Sequence, residues 1–454
     1  MSLNVIVLAA GQGKRMHSDT PKVLHRLAGK SLLGRVVDTA RSLGAAKIVV
    51  VYGHGGAQVR NAFSGDTDLA WAEQKAQLGT GHAVLQALPL VDADAEALVL
   101  FGDVPLIEAT TLRRLLEAAR GGLAIMTALA QDAARYGRIV RDATGRVQRI
   151  VEHRDATPAE IEIREWNTGF LACSAARLSG WLARVGNENA QKEYYLTDVV
   201  GLAVADGLAV QTTHPAHVWE VEGVNSKKQL AALERIHQGE VANALMDAGV
   251  TLADPGRLDV RGTLACARDV SIDVNCVFEG AVTLGDRVRI GPNCVLRNVR
   301  IAADTQVHAF SHLEDAAVGA RCRIGPYARL RPGAALADEV HIGNFVEVKN
   351  SRFGDGSKAN HLAYVGDSDV GSRVNIGAGT ITCNYDGVNK HRTTIGDGVF
   401  VGSNATLVAP VTIADGSYIG AGSTISRDTP AGQLTVARAK QVSLPAWKPP
   451  KKKG

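Results

Sequence analysis

The chain has 454 residues, of which 46% are apolar and 21% charged, with 48 Gly, 14 Pro and a formal net charge of +4. At roughly 150 residues per domain, that length corresponds to two or three domains and a sizeable core. Glycine stands above its usual ~7% while proline is sparse, which excludes collagen and Pro-rich disorder, and the small net charge gives no case for a nucleic-acid or membrane partner. The first residues lack a basic n-region and run directly into a strand pattern, so no signal peptide is expected. No apolar stretch nears the ~18–20 residues of a membrane span. Cysteines 173, 266, 276, 294, 322 and 383 never approach a C-x₂₋₄-C spacing and read as buried free thiols of a cytoplasmic protein.

In chain order, strand-like runs at 4–10, 47–51, 97–101 and 123–129 alternate with helix-like stretches such as 31–43 and 110–119. This is the alternation of an α/β domain with a mostly parallel, Rossmann-like sheet, expected over 1–225. Residues 226–250 place Leu230, Leu233, Ile236, Val241 and Leu245 near helical spacing without Pro, as in a linking helix. From residue 270 a period of six takes over: Ile272, Phe278, Leu284, Ile290 and Leu296, then Ile324, Leu330, Leu336, Ile342 and Val348, then Ile395, Val401, Leu407, Ile413, Ile419 and Ile425. Ordinary amphipathic strands alternate with period two and hold no six-residue phase. A coil of three short sides, with the periodic aliphatic pointing inward and stacked coils about 4.8 Å apart, does hold one. The pattern resembles the left-handed parallel β-helix of the hexapeptide-repeat family, many members of which are trimeric acyltransferases. The β-helix is expected over 251–437, followed by a solvated basic tail at 438–454. Two breaks of phase, 351–369 and 383–393, are expected to carry loops.

Leu8-Ala9-Ala10-Gly11-Gln12-Gly13-Lys14-Arg15-Met16 follows the first strand, where a glycine turn can bring backbone N–H groups against a phosphate. It matches neither G-x-G-x-x-G nor G-x-x-x-x-G-K-[ST], and such a turn also serves purely structural ends. Arg15 and Lys22 place cations beyond it, as a triphosphate requires. Asp103 closes a strand, where a carboxylate suits Mg²⁺ or simply caps a turn. Asn225 can add a neutral oxygen ligand or cap the following helix.

These segments, with Pro21-Lys22-Val23-Leu24, Gln74, Leu78-Gly79-Thr80-Gly81-His82, Gly102-Asp103 and Glu165-Trp166-Asn167-Thr168-Gly169, occur in the order seen in sugar-nucleotide pyrophosphorylases. With the β-helix behind them, about residues 3–440 resemble the bacterial family that joins N-acetylglucosamine-1-phosphate uridylyltransferase to glucosamine-1-phosphate acetyltransferase. Lys14 departs from the Thr common in that family and adds a cation beside the triphosphate.

The resemblance implies that Leu8, Ala9, Ala10, Gly11 and Lys22 hold the nucleotide and its phosphates. Gln74, Gly79 and Thr80 read the uracil, and Phe101, Gly102 and Asp103 line the site. Asp103 and Asn225 bind Mg²⁺, while Gly137, Glu152 and Asn167 contact the sugar. In the β-helix, His361 is implied as the general base of acetyl transfer. Arg331, Lys349, Tyr364 and Asn375 hold glucosamine-1-phosphate. Ala378, Asn384, Tyr385, Ser403, Ala421 and Arg438 contact acetyl-CoA, in a groove between subunits of a homotrimer. Glu347 is our own candidate to support His361. The product, UDP-N-acetylglucosamine, supplies peptidoglycan and lipopolysaccharide synthesis.

Other readings stay open on the residues alone. A lone His or a surface Lys is often merely solvated, so the β-helix can be an assembly element behind a single-activity pyrophosphorylase. His308, His312, His341, His361 and His391 supply imidazoles for a zinc hydratase of the β-helix class, although their spacings are mostly not multiples of 18. A purely structural trimer is the third reading.

Overall fold

Strand β1 (Leu3–Leu8) shows why the first sheet is covered on both faces. Val5 and Val7 pack with Leu33, Val36 and Val37 of helix α1 (Leu32–Ser42), whereas Ile6 and Leu8 pack with Ala83 and Val84 of α2 (Thr80–Ala87). An aliphatic run without polar alternation therefore forms a strand between two apolar layers. The computed structural model describes residues 2–130, 133, 135–450 and 452. It separates into two units, Met1–His237 and Gln238–Gly454.

In the first unit, β1 is joined by β2 (Lys47–Tyr52), β3 (Leu69–Glu73), β4 (Glu96–Phe101), β5 (Leu123–Leu129), β6 (Glu165–Ser174) and β7 (Val210–Thr213). Their spatial order is β7-β5-β6-β4-β1-β2-β3. All neighbours are parallel except β6, which runs antiparallel to β4 and β5. The chain builds β1, β2 and β3 to one side and then returns to place β4 on the other side of β1. That reversal is a topological switch point, and Leu8 and Phe101 are register partners at its carboxyl end. A hairpin of Arg138–Arg141 and Val147–Val151 adds to β6 through Trp166.

Helix α3 (Lys227–Asp247) occupies the expected linking segment, but the division between units falls inside it rather than at its ends. Its first half buries Leu233 with Met16, Leu27 and Val224. Its second half places Ala242 and Leu245 in the core of the second unit, where the Gln238 amide exchanges hydrogen bonds of 2.9 and 2.8 Å with Val260.

The second unit stacks short parallel strands around one continuous core that contains every periodic residue named above. Some coils take eighteen residues, as in Ser271 paired with Arg289, and others seventeen, as in Arg289 paired with Gln306. The shorter coils lose one residue at a corner held by Asn298, Asp315, Asn350 or Asp367, whose φ values of 50°, 44°, 45° and 49° are left-handed. Asn and Asp tolerate that conformation better than other non-Gly residues. These corners correct one expectation: 351–369 carries no loop. Its phase break is a shortened corner, and strands Arg352–Phe353, Lys358–His361 and Tyr364–Gly366 continue the coil. Residues 383–393 do leave it, closing on an antiparallel bridge between Tyr385 and Lys390, so that Asn375 pairs with Phe400 twenty-five residues on.

All six cysteines are free, as expected, but Cys266 and Cys383 are only partly buried. Burial pushes the thiols of Cys276 and Cys322 up to about 11 and that of Cys294 up to about 12.

Leu330 is fully buried in the β-helix, with Arg329 pointing outward beside it. Leu330→Ala should lower the stability of the second unit by about 2–5 kcal/mol in urea unfolding. Arg329→Ala, at an exposed ion pair, should change it by less than about 1 kcal/mol.

Candidate active sites

In the first unit the glycine turn leaves β1 and the Gly102-Asp103 pair leaves β4, side by side at the switch point; Gly102 N donates to Leu8 O at 2.9 Å. The turn closes on Lys22: Gly13 has φ 61°, and a Cβ there would stand 2.7 Å from Lys22 Cβ. Lys22 Nζ donates to Asp103 Oδ2 and, at 3.2 Å, to Asn225 Oδ1. Asn225 reaches the site because Val224 N donates to the Asp103 carbonyl at 2.8 Å, tying 223–225 to the end of β4.

Two hollows meet here and share Thr80, Phe101 and Asp103 as walls. One is lined by Leu8, Ala9, Ala10, Gly11, Lys22, Gln74 and Gly79, the residues expected to face the nucleotide. Buried Gln74 donates from Nε2 to the Gly79 carbonyl at 3.0 Å. Gly79 has φ 108°, and a Cβ there would lie 2.6 Å from the Tyr194 carbonyl oxygen. The other hollow collects the expected sugar contacts Gly137, Glu152 and Asn167, with Asn225. Asn167 N donates to Gly137 O at 2.9 Å, which fixes two of them together. Glu152 accepts from Thr197 Oγ1 at 3.0 Å. Burial raises its pKa above the usual carboxylate range, the Thr197 bond opposes that, and the charges of Asp198, Asp155 and Glu193 add to it.

Gly102 lies behind these walls, packed against Ala9 and Leu33, and Arg15 stands exposed on the short turn Lys14–Met16. Sequence reasoning missed Gln77, whose Nε2 donates to the Ala10 carbonyl at 2.6 Å. It also missed Tyr136, which lines the sugar-side hollow and stacks on Trp166 at 4.2 Å between centroids. Both lie beside residues already singled out, Gln77 next to Leu78-Gly79 and Tyr136 next to Gly137, but their roles come from contacts distant in sequence.

In the second unit His361 ends a strand instead of standing on a loop, and it is register partner of Asn344. His361 Nδ1 donates to Asn344 Oδ1 at 2.9 Å, which leaves Nε2 as the basic nitrogen. Glu347, our candidate for this support, instead accepts from Arg331 Nη1 at 2.7 Å. Within one chain Glu347 sits around the corner from His361, on the other sheet. Continuing the register from His361 places Ala378, Ser403 and Ala421 at the same corner of successive coils. Arg438 joins them through a 2.6 Å bond from Nη1 to the Ala421 carbonyl. Four expected acetyl-CoA contacts thus form one column that begins at His361.

Arg331, Lys349 and Tyr364 gather elsewhere, with Asp367 and Asn384. Lys349 Nζ lies 3.3 Å from Asp367 Oδ2, and Asn384 Nδ2 reaches both Asp367 and, at 3.4 Å, the Tyr364 hydroxyl. Asn384 therefore belongs to this cluster rather than to the column. Tyr385 is exposed on the excursion and bonds its own loop at Gly387. Asn375 stands apart, in register between Lys358 and Phe400. Among the described residues no three His, Cys, Asp or Glu side chains gather as a metal-ligand group, so the histidines weighed for zinc form no such site within one chain.

Residues 5–248 match the MobA-like NTP transferase domain, 260–358 the GMPPB C-terminal domain, and 392–427 the six-repeat bacterial transferase hexapeptide. The chain is 61% identical to the bifunctional protein GlmU of Chromobacterium violaceum, over 100% of this chain and 99% of that one. It is 60% identical to the protein of that name from Aromatoleum aromaticum, over 99% of both chains. With that of Bordetella parapertussis it shares 58%, over 99% of this chain and 100% of the relative. The chain belongs to the GlmU family. It is a bifunctional enzyme, with uridylyl transfer and acetyl transfer fitted to its nucleotidyltransferase and hexapeptide domains.

Gly79→Ala would force both a left-handed φ and a backbone overlap, of order 1–3 kcal/mol. Uridylyl transfer should then lose about tenfold or more through a raised KM for the nucleotide, measured by pyrophosphate release, with thiol release from acetyl-CoA unchanged. Glu152 offers a second check. Because its carboxyl titrates above the usual range, the charged form is lost early as pH falls. The KM for the sugar phosphate should rise as pH falls through the raised carboxyl range, and Glu152→Gln should remove the part of that rise not due to the substrate phosphate itself, read by comparing the two pH profiles.

Proposed function

We propose that the second unit acetylates glucosamine-1-phosphate from acetyl-CoA and that the first then joins the product to UTP, releasing pyrophosphate and UDP-N-acetylglucosamine. The observation that carries this reading is that each unit gathers its own complement of chemistry: a Lys–Asp–Asn set at a sheet switch point, and a His with an oriented ring at the head of a column of corners.

In acetyl transfer the amine of the sugar attacks the thioester carbonyl, His361 Nε2 takes the proton the amine sheds, and the CoA thiol leaves. Asn344 fixes the imidazole tautomer that makes Nε2 the base. Arg331, Lys349 and Tyr364 hold the sugar phosphate. Ala378, Ser403, Ala421 and Arg438 run alongside the extended acetyl-CoA, with Tyr385 nearby, and Asn384 joins the phosphate cluster. Asn375, apart from the phosphate cluster in its own chain, completes the site from a neighbouring subunit of a homotrimer.

In uridylyl transfer a phosphate oxygen of N-acetylglucosamine-1-phosphate attacks the α-phosphorus of UTP in line with the departing pyrophosphate. No side chain becomes a covalent nucleophile. Gln74, Gly79 and Thr80 seat the base, and Leu8, Ala9, Ala10 and Gly11 approach the phosphates. Arg15 and Lys22 neutralise them, while Gly137, Glu152 and Asn167 seat the sugar. One carboxylate and one carboxamide oxygen, Asp103 and Asn225, facing a phosphate site suit Mg²⁺, which takes few protein ligands and completes its shell with water and phosphate oxygens. When bound, the ion draws charge from the reacting phosphates. Lys22 spans those two oxygens from the side of the glycine turn, where its ammonium can also meet a phosphate. The substrates are those of cytoplasmic metabolism, and the chain has no described helix long and apolar enough to cross a membrane.

Two substitutions test the pairing of site and activity. His361→Ala should lower acetyl transfer by about 10²–10⁴ and spare uridylyl transfer, and Asp103→Ala should do the reverse. Loss of both activities from either change in a folded protein would refute the assignment of one activity to each unit. Pyrophosphate exchange without any thiol release from the unaltered protein would leave the β-helix as an assembly element.

A further inference from the structure

The corner at Asp367 differs from its counterparts. Asn298, Asp315, Asn350 and Asp367 all turn shortened corners with left-handed φ, and they bond in pairs along the stack. Asn298 Nδ2 donates to Asp315 Oδ1 at 2.8 Å, and Asn350 Nδ2 donates to Asp367 Oδ1 at 2.6 Å. Those bonds satisfy the corner. At Asp315 nothing further is required, and its side chain is exposed.

Asp367 carries the same bond and two more. Its side chain is only 6% exposed, and its second oxygen receives Lys349 Nζ at 3.3 Å and Asn384 Nδ2. Lys349 itself is 19% exposed. Burial alone would raise the Asp367 carboxyl, yet the bonds from Asn350, Asn384 and Lys349 hold it below the usual range, so it is charged at neutral pH. A buried carboxylate that accepts from three side chains, two on the preceding coil and one on the following coil, fixes all three. Two of them, Lys349 and Asn384, reach the same oxygen from the coils before and after, and Asn384 is carried on the 383–393 excursion.

We infer that Asp367 is a positioning residue of the acetyl-transfer site: its carboxylate holds the Lys349 ammonium and the Asn384 carboxamide where the phosphate of the sugar substrate docks. This inference rests on the acetyl-transfer reading given above. Asp367 acts through Lys349 and touches no reacting atom, so its loss acts on sugar-phosphate binding before turnover. It also sets the charge of the docking site. Arg331 is offset by Glu347 and Lys349 by Asp367, while Lys390 stands against Lys349, so the cluster keeps an excess of positive charge for a phosphate dianion.

The test uses the full-length protein carrying Asp367→Asn, a change that keeps the size of the side chain and tolerates the left-handed corner. Asp315→Asn at the equivalent corner is the control. Acetyl transfer is followed by CoA thiol release while glucosamine-1-phosphate and acetyl-CoA are varied separately. Asp367→Asn should raise the KM for the sugar phosphate by about tenfold or more, as loss of a charged hydrogen bond implies, and change the KM for acetyl-CoA and uridylyl transfer little. Asp315→Asn should leave all three unchanged. In a Lys349→Ala background the further effect of Asp367→Asn should fall below about threefold, since the two act as one unit.

A sugar-phosphate KM within twofold of the unaltered protein would overturn the inference. So would equal rises in both KM values, or independent multiplication of the two substitutions. If Asp367→Asn does not fold, Asp367→Gly, which also permits the left-handed corner and removes the carboxylate, is read in the same way. No thiol release from the unaltered protein would overturn the acetyl-transfer reading itself, and the inference with it.

Discussion

Both halves of the molecule are governed by parallel pairing of backbone strands. Parallel neighbours cannot be joined by a tight hairpin, so the chain must travel back to its starting edge before each new strand. In the first unit it returns largely through helices, and the carboxyl ends of successive strands collect along one edge of a sheet. At β1 and β4 the direction of building reverses, and loops that would otherwise crowd that edge diverge. In the second unit the chain returns by coiling, and residues far apart in sequence repeat the same place on the wall of a prism. Active-site placement follows from this in both cases, as a gap at a reversal in one and a column at a corner in the other.

The two sites share an electrostatic device. Each holds a lysine against a carboxylate: Lys22 against Asp103, and Lys349 against Asp367. Arg331 has Glu347 in the same way. A cation left unpaired in a partly buried cleft would be poorly solvated, and the neighbouring carboxylate stabilises it. Under the proposed function, an arriving phosphate would exchange partners with a set of charges already in place.

How much of this was legible in the sequence depended on whether the signal was local. The hexapeptide phase is local and repeated, and each residue it picked out lies in the core. The glycine turn with Lys22, and Gly102-Asp103, are local motifs whose meeting follows once the strands are ordered. Glu347 lies fourteen residues before His361, short of a full coil, so it falls on a different wall, and only the register shows that Asn344 is what faces His361 within the chain. Gln77 and Tyr136 escaped because their roles rest on tertiary contacts, to the Ala10 carbonyl and to the Trp166 ring. Residues 351–369 were misread for a subtler reason: a missing corner residue and an inserted loop both break a period, and the sequence pattern alone does not separate them.

Those shortened corners give the wall a mechanical allowance. Because an Asn or Asp in the left-handed conformation closes a corner with one residue fewer, coils of seventeen and eighteen residues stack without losing a single interior position. The excursion at 383–393 shows the opposite tolerance, a coil of twenty-five residues that rejoins the same ladder. A β-helix of this kind can therefore lengthen or shorten between its rungs and still keep every rung level. Deletions and insertions become a source of variation confined to the edges, where the substrates are met, while the shaft inside stays constant.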